Sequence, residues 1–102
     1  MKCFAVIISP SAEADILDSF IWGCDQWGVE AAQKWARNLR SNIVDKLSVM
    51  PSRYPVAPET EEIGIELRQM TSGRYRILFR IEMNTVRVAH VRGAFDADEN
   101  EE

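Results

Sequence analysis

At 102 residues, 46% apolar and 27% charged, with a formal net charge of -4 and an isoelectric point near 5.0, this chain is sized for one domain, one core and one functional surface. No stretch approaches the ~20 apolar residues of a membrane span, and the two cysteines, Cys3 and Cys24, lie in apolar periodic segments without a CxxC or metal-ligand spacing. They read as buried free thiols in a reducing cytosol, so a cytoplasmic protein with no disulfide, metal or cofactor is expected.

Residues 2–8 are apolar after Lys2 and end in β-branched Val6, Ile7 and Ile8. With Ala12 and Ala14 behind them they mimic a signal peptide, but about 14 residues fall short of the 15 to 30 that such a signal needs. The segment is read as a first strand, buried on both faces. The period then changes from two to 3.6. Ser9 offers a helix cap with Pro10 at the first helical position, and Ala12, Ile16, Phe20 and Cys24, flanked by Leu17 and Ile21, form a helical stripe. Gly23 or Gly28 would loosen or end that helix. A second stripe through Ala32, Trp35, Ala36, Leu39, Ile43, Leu47 and Met50 keeps Lys34, Arg37, Arg40 and Asp45 off it, so residues 10–50 predict an αα-hairpin joined at Gly28.

Pro51, Pro55 and Pro58 forbid regular structure in the next segment, and Glu59, Glu61, Glu62 and Glu66 close it; a loop is expected, with room for one helical turn. Three strand-like runs follow, at 65–70, 74–83 and 85–92, separated by Thr71-Ser72-Gly73 and a tight turn at Asn84. Connections this short imply an antiparallel meander. In the middle run Tyr75, Ile77, Phe79, Ile81 and Met83 share one face and Arg74, Arg76, Arg80 and Glu82 the other, so one face is core and the other carries positive charge. The expected domain is residues 1–95 in the order β-α-α-β-β-β, an α+β fold, with residues 96–102 as an acidic disordered tail.

Charge is distributed unevenly along the chain. Residues 68–92 hold six arginines, Arg68, Arg74, Arg76, Arg80, Arg87 and Arg92, against the single acid Glu82, for a local charge of +5 in a chain of net charge -4. No lysine occurs after Lys46. Arginine presents a planar fork suited to phosphate or carboxylate, whereas lysine serves solubility as well, so the stretch predicts a shaped anionic partner. The competing structural reading is a solvated sheet face whose arginines make salt bridges to the helices or to Glu66.

Four motifs, Ser9-Pro10-x-Ala12-x-x-Asp15-Ile16, Leu47-x-x-x-Pro51-x-x-Tyr54-Pro55, Gly73-x-Tyr75-Arg76-Ile77-Leu78-Phe79-Arg80-Ile81 and Val86-x-Val88-x-His90-Val91-Arg92, together resemble the RelE/ParE superfamily of toxins from bacterial type II toxin-antitoxin modules. The resemblance spans about residues 4–93. It implies a toxin held silent, in a hetero-oligomeric complex, by a cognate antitoxin encoded in the adjacent reading frame. RelE-like members enter the ribosomal A site and cut messenger RNA, whereas ParE-like members poison DNA gyrase and are not known to catalyse a reaction themselves.

Metal-free RNA cleavage needs a base for the 2′-hydroxyl, an acid for the leaving oxygen and cations around the phosphorane. Arg68, Arg76 and Arg80 are the candidate cations and His90 the candidate acid or base, with Tyr75 as the alternative. RelE-like members typically add lysines in or before the second strand, or a late His or Tyr. Residues 51–67 instead contain Arg53 and four glutamates, and after Arg92 only carboxylates can transfer a proton. The reading that follows is ParE-like, with gyrase as target and Arg68, Arg74, Arg76, Arg80 and Arg92 as target-binding residues. The alternatives are the RelE-like endonuclease and a non-toxic member that only binds its antitoxin. His90 is read first as a hydrogen-bonded structural group, Tyr75 as core, and the four glutamates as a loop charge run. Trp22 and Trp27, with Arg76 and Arg80, are the candidate antitoxin contacts, since exposed aromatics anchor a helix laid in a groove.

Overall fold

The structure is a computed structural model that describes residues 3–93; the expected domain end at residue 95 and the acidic tail at 96–102 lie outside the described residues. Its elements are β1 (Ala5–Ile8), α1 (Pro10–Trp27), α2 (Val29–Leu47), a 3-10 turn at Pro51–Arg53, α3 (Glu59–Ile63), β2 (Arg68–Ser72), β3 (Tyr75–Glu82) and β4 (Thr85–Arg92). The expected β-α-α-β-β-β order and α+β class hold, with α3 as the short helical turn in the connector. Both helix ends follow their sequence signals. The Ser9 hydroxyl accepts from Ala12 N at 3.2 Å and Pro10 stands in the first turn, while Gly28, at φ +96, ends α1 and starts α2.

The sheet runs β1-β4-β3-β2, antiparallel throughout β2, β3 and β4, with β1 parallel to β4. The helical hairpin is therefore the crossover that brings a parallel strand back beside β4. It covers one face. Ala12 and Ile16 of α1 and Leu39, Ile43 and Leu47 of α2 meet Met70, Tyr75, Ile77, Phe79, Val86, Val88 and Val91 of the sheet in one core.

Several expectations are corrected. β1 is an edge strand, not a doubly buried one: Ala5 and Ile7 are exposed, and Ile7 keeps 43% of its surface. Its apolar run reflects a strand with only one neighbour and one covered face. The buried stripe of α1 is Ala12, Ile16, Ser19 and Gly23, while Leu17 and Ile21 are more than half exposed and Phe20 and Cys24 are only half-buried. The small Ser19 and Gly23 let α1 approach α2, an exchange of bulk for closeness that hydropathy alone does not register. Cys3 is exposed and not buried. Met50 and Met83, placed by period on the core faces, leave them because each takes a left-handed turn conformation (φ +48 and +55) where its element ends. The first meander strand starts at Arg68, leaving Ile65 exposed in the connector.

The second face of the sheet is not purely charged. Leu78, fully buried, packs with Ala57 and Leu67 of the connector and with Ala89. The connector is held there by hydrogen bonds: Ala57 N to Leu67 O at 2.7 Å, Gln69 N to Pro55 O at 2.9 Å, and Thr60 Oγ1, which accepts from Leu67 N at 2.9 Å and donates to Leu67 O at 3.0 Å. Val56 bridges Arg68, so the connector also covers part of the β2 edge. In β4 the alternation breaks once. Leu78 lies opposite His90 but Phe79 lies opposite Val88, which leaves Ala89 as the extra residue of a β-bulge. Beyond it Val91 still faces the core, while His90 and Arg92 share the second face with Leu78 and Arg76.

Candidate functional site: a tryptophan groove and an arginine face

Aromatic residues assemble at the hairpin junction. Trp22 and Trp27 meet edge to face at 5.4 Å, Trp27 and Trp35 at 6.3 Å, and Trp35 and Tyr75 at 5.2 Å. Gly23 makes this possible, since a Cβ there would come within 2.9 Å of the Trp27 ring. The ladder walls a groove of about 700 Å³ whose other side is Asn38 and Asn42 of α2 and the Ser72-Gly73-Arg74 hairpin tip. Trp35, Asn38, Leu39 and Asn42 recur at helical spacing and so share one face of α2. Asn42 Nδ2 donates to Ser72 Oγ at 2.6 Å, tying that face to the hairpin tip. Trp22 and Trp27 are 41% and 47% exposed, and these two of the four expected antitoxin contacts line the groove, whereas Arg76 and Arg80 do not.

The arginines separate by face. Arg68 lies opposite Phe79 in the β2–β3 register, on the helix side, and not with Arg76 and Arg80. Its guanidinium donates to Tyr54 O at 2.6 Å and Ser52 O at 3.1 Å, with Glu66 at 3.8 Å, so it holds the connector's entry turn. Tyr54 in turn packs edge to face on Phe79 at 6.0 Å. Arg76 and Arg80 do share the second face. Arg76 forks onto Glu59 at 3.0 and 3.2 Å and donates to Gln69 Oε1 at 2.6 Å. That guanidinium pulls the Glu59 carboxyl below its usual range. Arg80 and Arg87, opposite each other on β3 and β4, share Glu82, whose carboxyl is likewise lowered, chiefly by the Arg87 hydrogen bond. Glu59 was legible only as part of a charge run; its pairing across 17 residues carries no local signal.

His90 is engaged by α1. Its Nδ1 lies 3.2 Å from Asp15 Oδ2, and the same oxygen accepts from Val91 N at 2.9 Å. Ser9 adds its N–H to Val88 O and its hydroxyl to Ala89 O. Where β1 stops, α1 takes over the β4 edge and satisfies the bulge. His90 also lines, with Arg80, Arg87, Ser9 and Ser11, a cleft of about 300 Å³ walled by Ile63 and Ile65. Among the described residues no three His, Cys, Asp or Glu side chains gather as metal ligands, and no helix is long and apolar enough to cross a membrane.

Residues 6–94 match the family model of the ParE toxin of the type II toxin-antitoxin system parDE. The chain belongs to that family. Toxin ParE1 of Mycobacterium tuberculosis is 29% identical over 100 residues, covering 92% of this chain and 94% of that one. The fold is shared with a chain of the chromosomal ParDE system from P. aeruginosa, at a TM-score of 0.72 and 13% identity over 89% of this chain and 96% of the other. It is shared also with a chain of the toxin-antitoxin complex RelBE2 from Mycobacterium tuberculosis, at 0.64 and 19% over 91% and 93%. The resemblance read from the motifs is thus established at family level, and the ParE branch is the one that matches.

Proposed function

We propose that this ParE-family toxin acts by binding, with DNA gyrase as its target, and that a cognate antitoxin from the adjacent reading frame neutralises it in a hetero-oligomeric complex. The observation that carries the binding reading is the commitment of the would-be catalytic groups to contacts within the chain. His90 is clamped to Asp15, Arg76 to Glu59 and Gln69, and Arg80 to Glu82. A general acid or base must reach its proton, and a transition-state cation must be open to the phosphorane. These side chains instead hold the fold.

The antitoxin is assigned to the Trp22–Trp27 groove, whose exposed indoles suit the apolar anchors of a helical or extended segment. Arg76 and Arg80 lie on the opposite sheet face, so an antitoxin that uses them as well must wrap around the hairpin tip at Gly73. Target contact is assigned to the remaining expected residues of the arginine stretch that stay accessible, Arg74 and Arg92.

One observation favours the RelE-like alternative: Arg80, Arg87 and His90 line the same cleft. The test is induction of the chain with and without the neighbouring reading frame, alongside purified gyrase and purified translation. The binding reading expects gyrase-dependent DNA breaks, a DNA-damage response and filamentous cells, with translation unimpaired. A-site cleavage of messenger RNA that His90→Ala abolishes would overturn it.

A further inference from the structure

Helix α1 carries two apolar stripes, and the fold uses one of them. Ala12, Ile16, Ser19 and Gly23 are buried, whereas Leu17, Phe20, Ile21 and Cys24 recur at i, i+3, i+4 and i+7 along a second flank. On that flank Leu17 and Ile21 keep 54% and 58% of their surface, and Phe20 and Cys24 are half-buried. Beside it an open groove of about 580 Å³ runs between the two helices, lined by Leu17 and Phe20 of α1 and by Ala36, Arg37 and Arg40 of α2. No sheet residue lines it, and it shares no residue with the tryptophan groove.

The two helices differ in charge. α1 holds Glu13, Asp15, Asp18 and Asp25 with no cation, for -4; α2 holds Lys34, Arg37, Arg40 and Lys46 against Glu30 and Asp45, for 4 less 2, or +2. Arg40 bonds Glu13 across the groove at 2.7 Å. Asp18 and Arg37 are exposed and make no side-chain hydrogen bond or ion pair among the described residues. Helical spacing sets Asp18 on the flank of α1 away from the groove. Since Glu13 is level with Arg40 and Gly23 with Ala32, Asp18 is level with Ala36, one residue or ~1.5 Å along the axis from Arg37.

We infer that this outer face of the hairpin is an interface between two copies of the chain. A two-fold axis parallel to the helices preserves the levels along them. It lays α1 of each copy in the other's groove, antiparallel to the other's α2. The two Leu17 and Ile21 pairs then meet between the copies, and Asp18 of each faces Arg37 of the other. A second copy thus supplies an apolar stripe, a cation for Asp18 and an anion for Arg37 at matching heights. With α1 18 residues and so about 27 Å long, and a helix about 10 Å across, two such seatings bury on the order of 500 Å² on each copy and 1,000 Å² in all. That is the lower end for a specific interface, so the dissociation constant is on the order of 10 µM. The tryptophan groove stays open, and the inference is independent of what the toxin attacks.

The test is sedimentation equilibrium of the purified full chain, free of antitoxin, from about 5 to about 500 µM, which brackets the expected constant. A monomer-dimer equilibrium is expected. Leu17→Asp combined with Ile21→Asp should leave only monomer, with the far-ultraviolet circular dichroism unchanged because both side chains are exposed. Asp18→Arg and Arg37→Asp should each weaken the dimer by about tenfold or more, since each sets like charges together twice, and the doubly reversed chain should return to within about threefold of the original. A chain that is monomeric throughout overturns the inference, and the face then belongs to the antitoxin if the neighbouring reading frame's product shields Leu17 and Ile21. A dimer indifferent to the Leu17 and Ile21 changes overturns it too, by placing the contact elsewhere. So does a double reversal that fails to restore association, because α1 then does not lie against the other copy's α2.

Discussion

The two faces of this sheet are stabilised by different physics. On the helix side, Ile77, Phe79, Val86 and Val88 are removed from water by two long helices, in a core of apolar side chains. On the other side Leu78, buried with only Ala57 and Leu67, sits under a thin connector whose position depends on hydrogen bonds and on arginine-carboxylate pairs. The first face is held by burial, which is insensitive to salt and pH; the second is held by directional contacts that respond to both.

That contrast can be broken by experiment. Phe79→Ala should cost roughly 3–5 kcal/mol in urea unfolding, and Leu78→Ala should sit near the ~2 kcal/mol end of the range for core leucines, because the connector above it can collapse. Equal costs would show the second face to be as rigid as the first. Asp15→Ala removes the acceptor for Val91 N and the partner of His90 at the bulge. A loss of ~1–3 kcal/mol is expected, with His90→Ala costing less because Val91 keeps its acceptor. Should the two variants lose the same amount, the histidine and not the backbone contact would be the important member.

Gly23→Ala tests the junction between the faces. The added methyl must push the Trp27 ring aside, which costs ~1–3 kcal/mol, less the ~0.5–1 kcal/mol that alanine gains over glycine in a helix. A changed tryptophan emission should accompany it, and unaltered emission would mean that the ladder does not depend on this close approach. The smallest effect concerns acid. Glu59 is depressed by Arg76, so its contribution is fully present above the ordinary glutamate value and is lost as pH falls through the lower folded value. Glu59→Gln should therefore flatten the stability profile below about pH 4.5 and leave it unchanged in shape near pH 7. An identical acid limb in the variant would show that the pair does not contribute to the second face.

The helix-side face was readable because burial leaves a period: 3.6 along Ala32, Leu39, Ile43 and Leu47, and two along Tyr75, Ile77 and Phe79. The second face leaves none. Glu59 finds Arg76 only after the connector has folded back, Arg68 is set on the helix side by its register with Phe79, and the Ala89 bulge re-aims His90 without any glycine to announce it. The tryptophan groove lies between these cases. Its aromatic members were visible, but the small residue that admits them, Gly23, was legible only as a possible helix end.

The parallel pair of β1 with β4 has a consequence for how the molecule comes into existence. Ala5 is paired with Thr85, a separation of 85 less 5, or 80 residues, and β4 occupies an interior position of the sheet between β1 and β3. Until β4 emerges from the ribosome, β1 has no neighbour and the helical hairpin has no complete surface to cover. Contacts this distant in sequence slow folding and forbid the usual stepwise maturation from the N-terminus. At ~5–20 residues per second, the ~80 residues between the two strands take ~4–16 s to synthesise, so the first strand waits that long for its partner. The sheet and the core beneath the hairpin therefore close together, in one late step, once nearly the whole chain has been made.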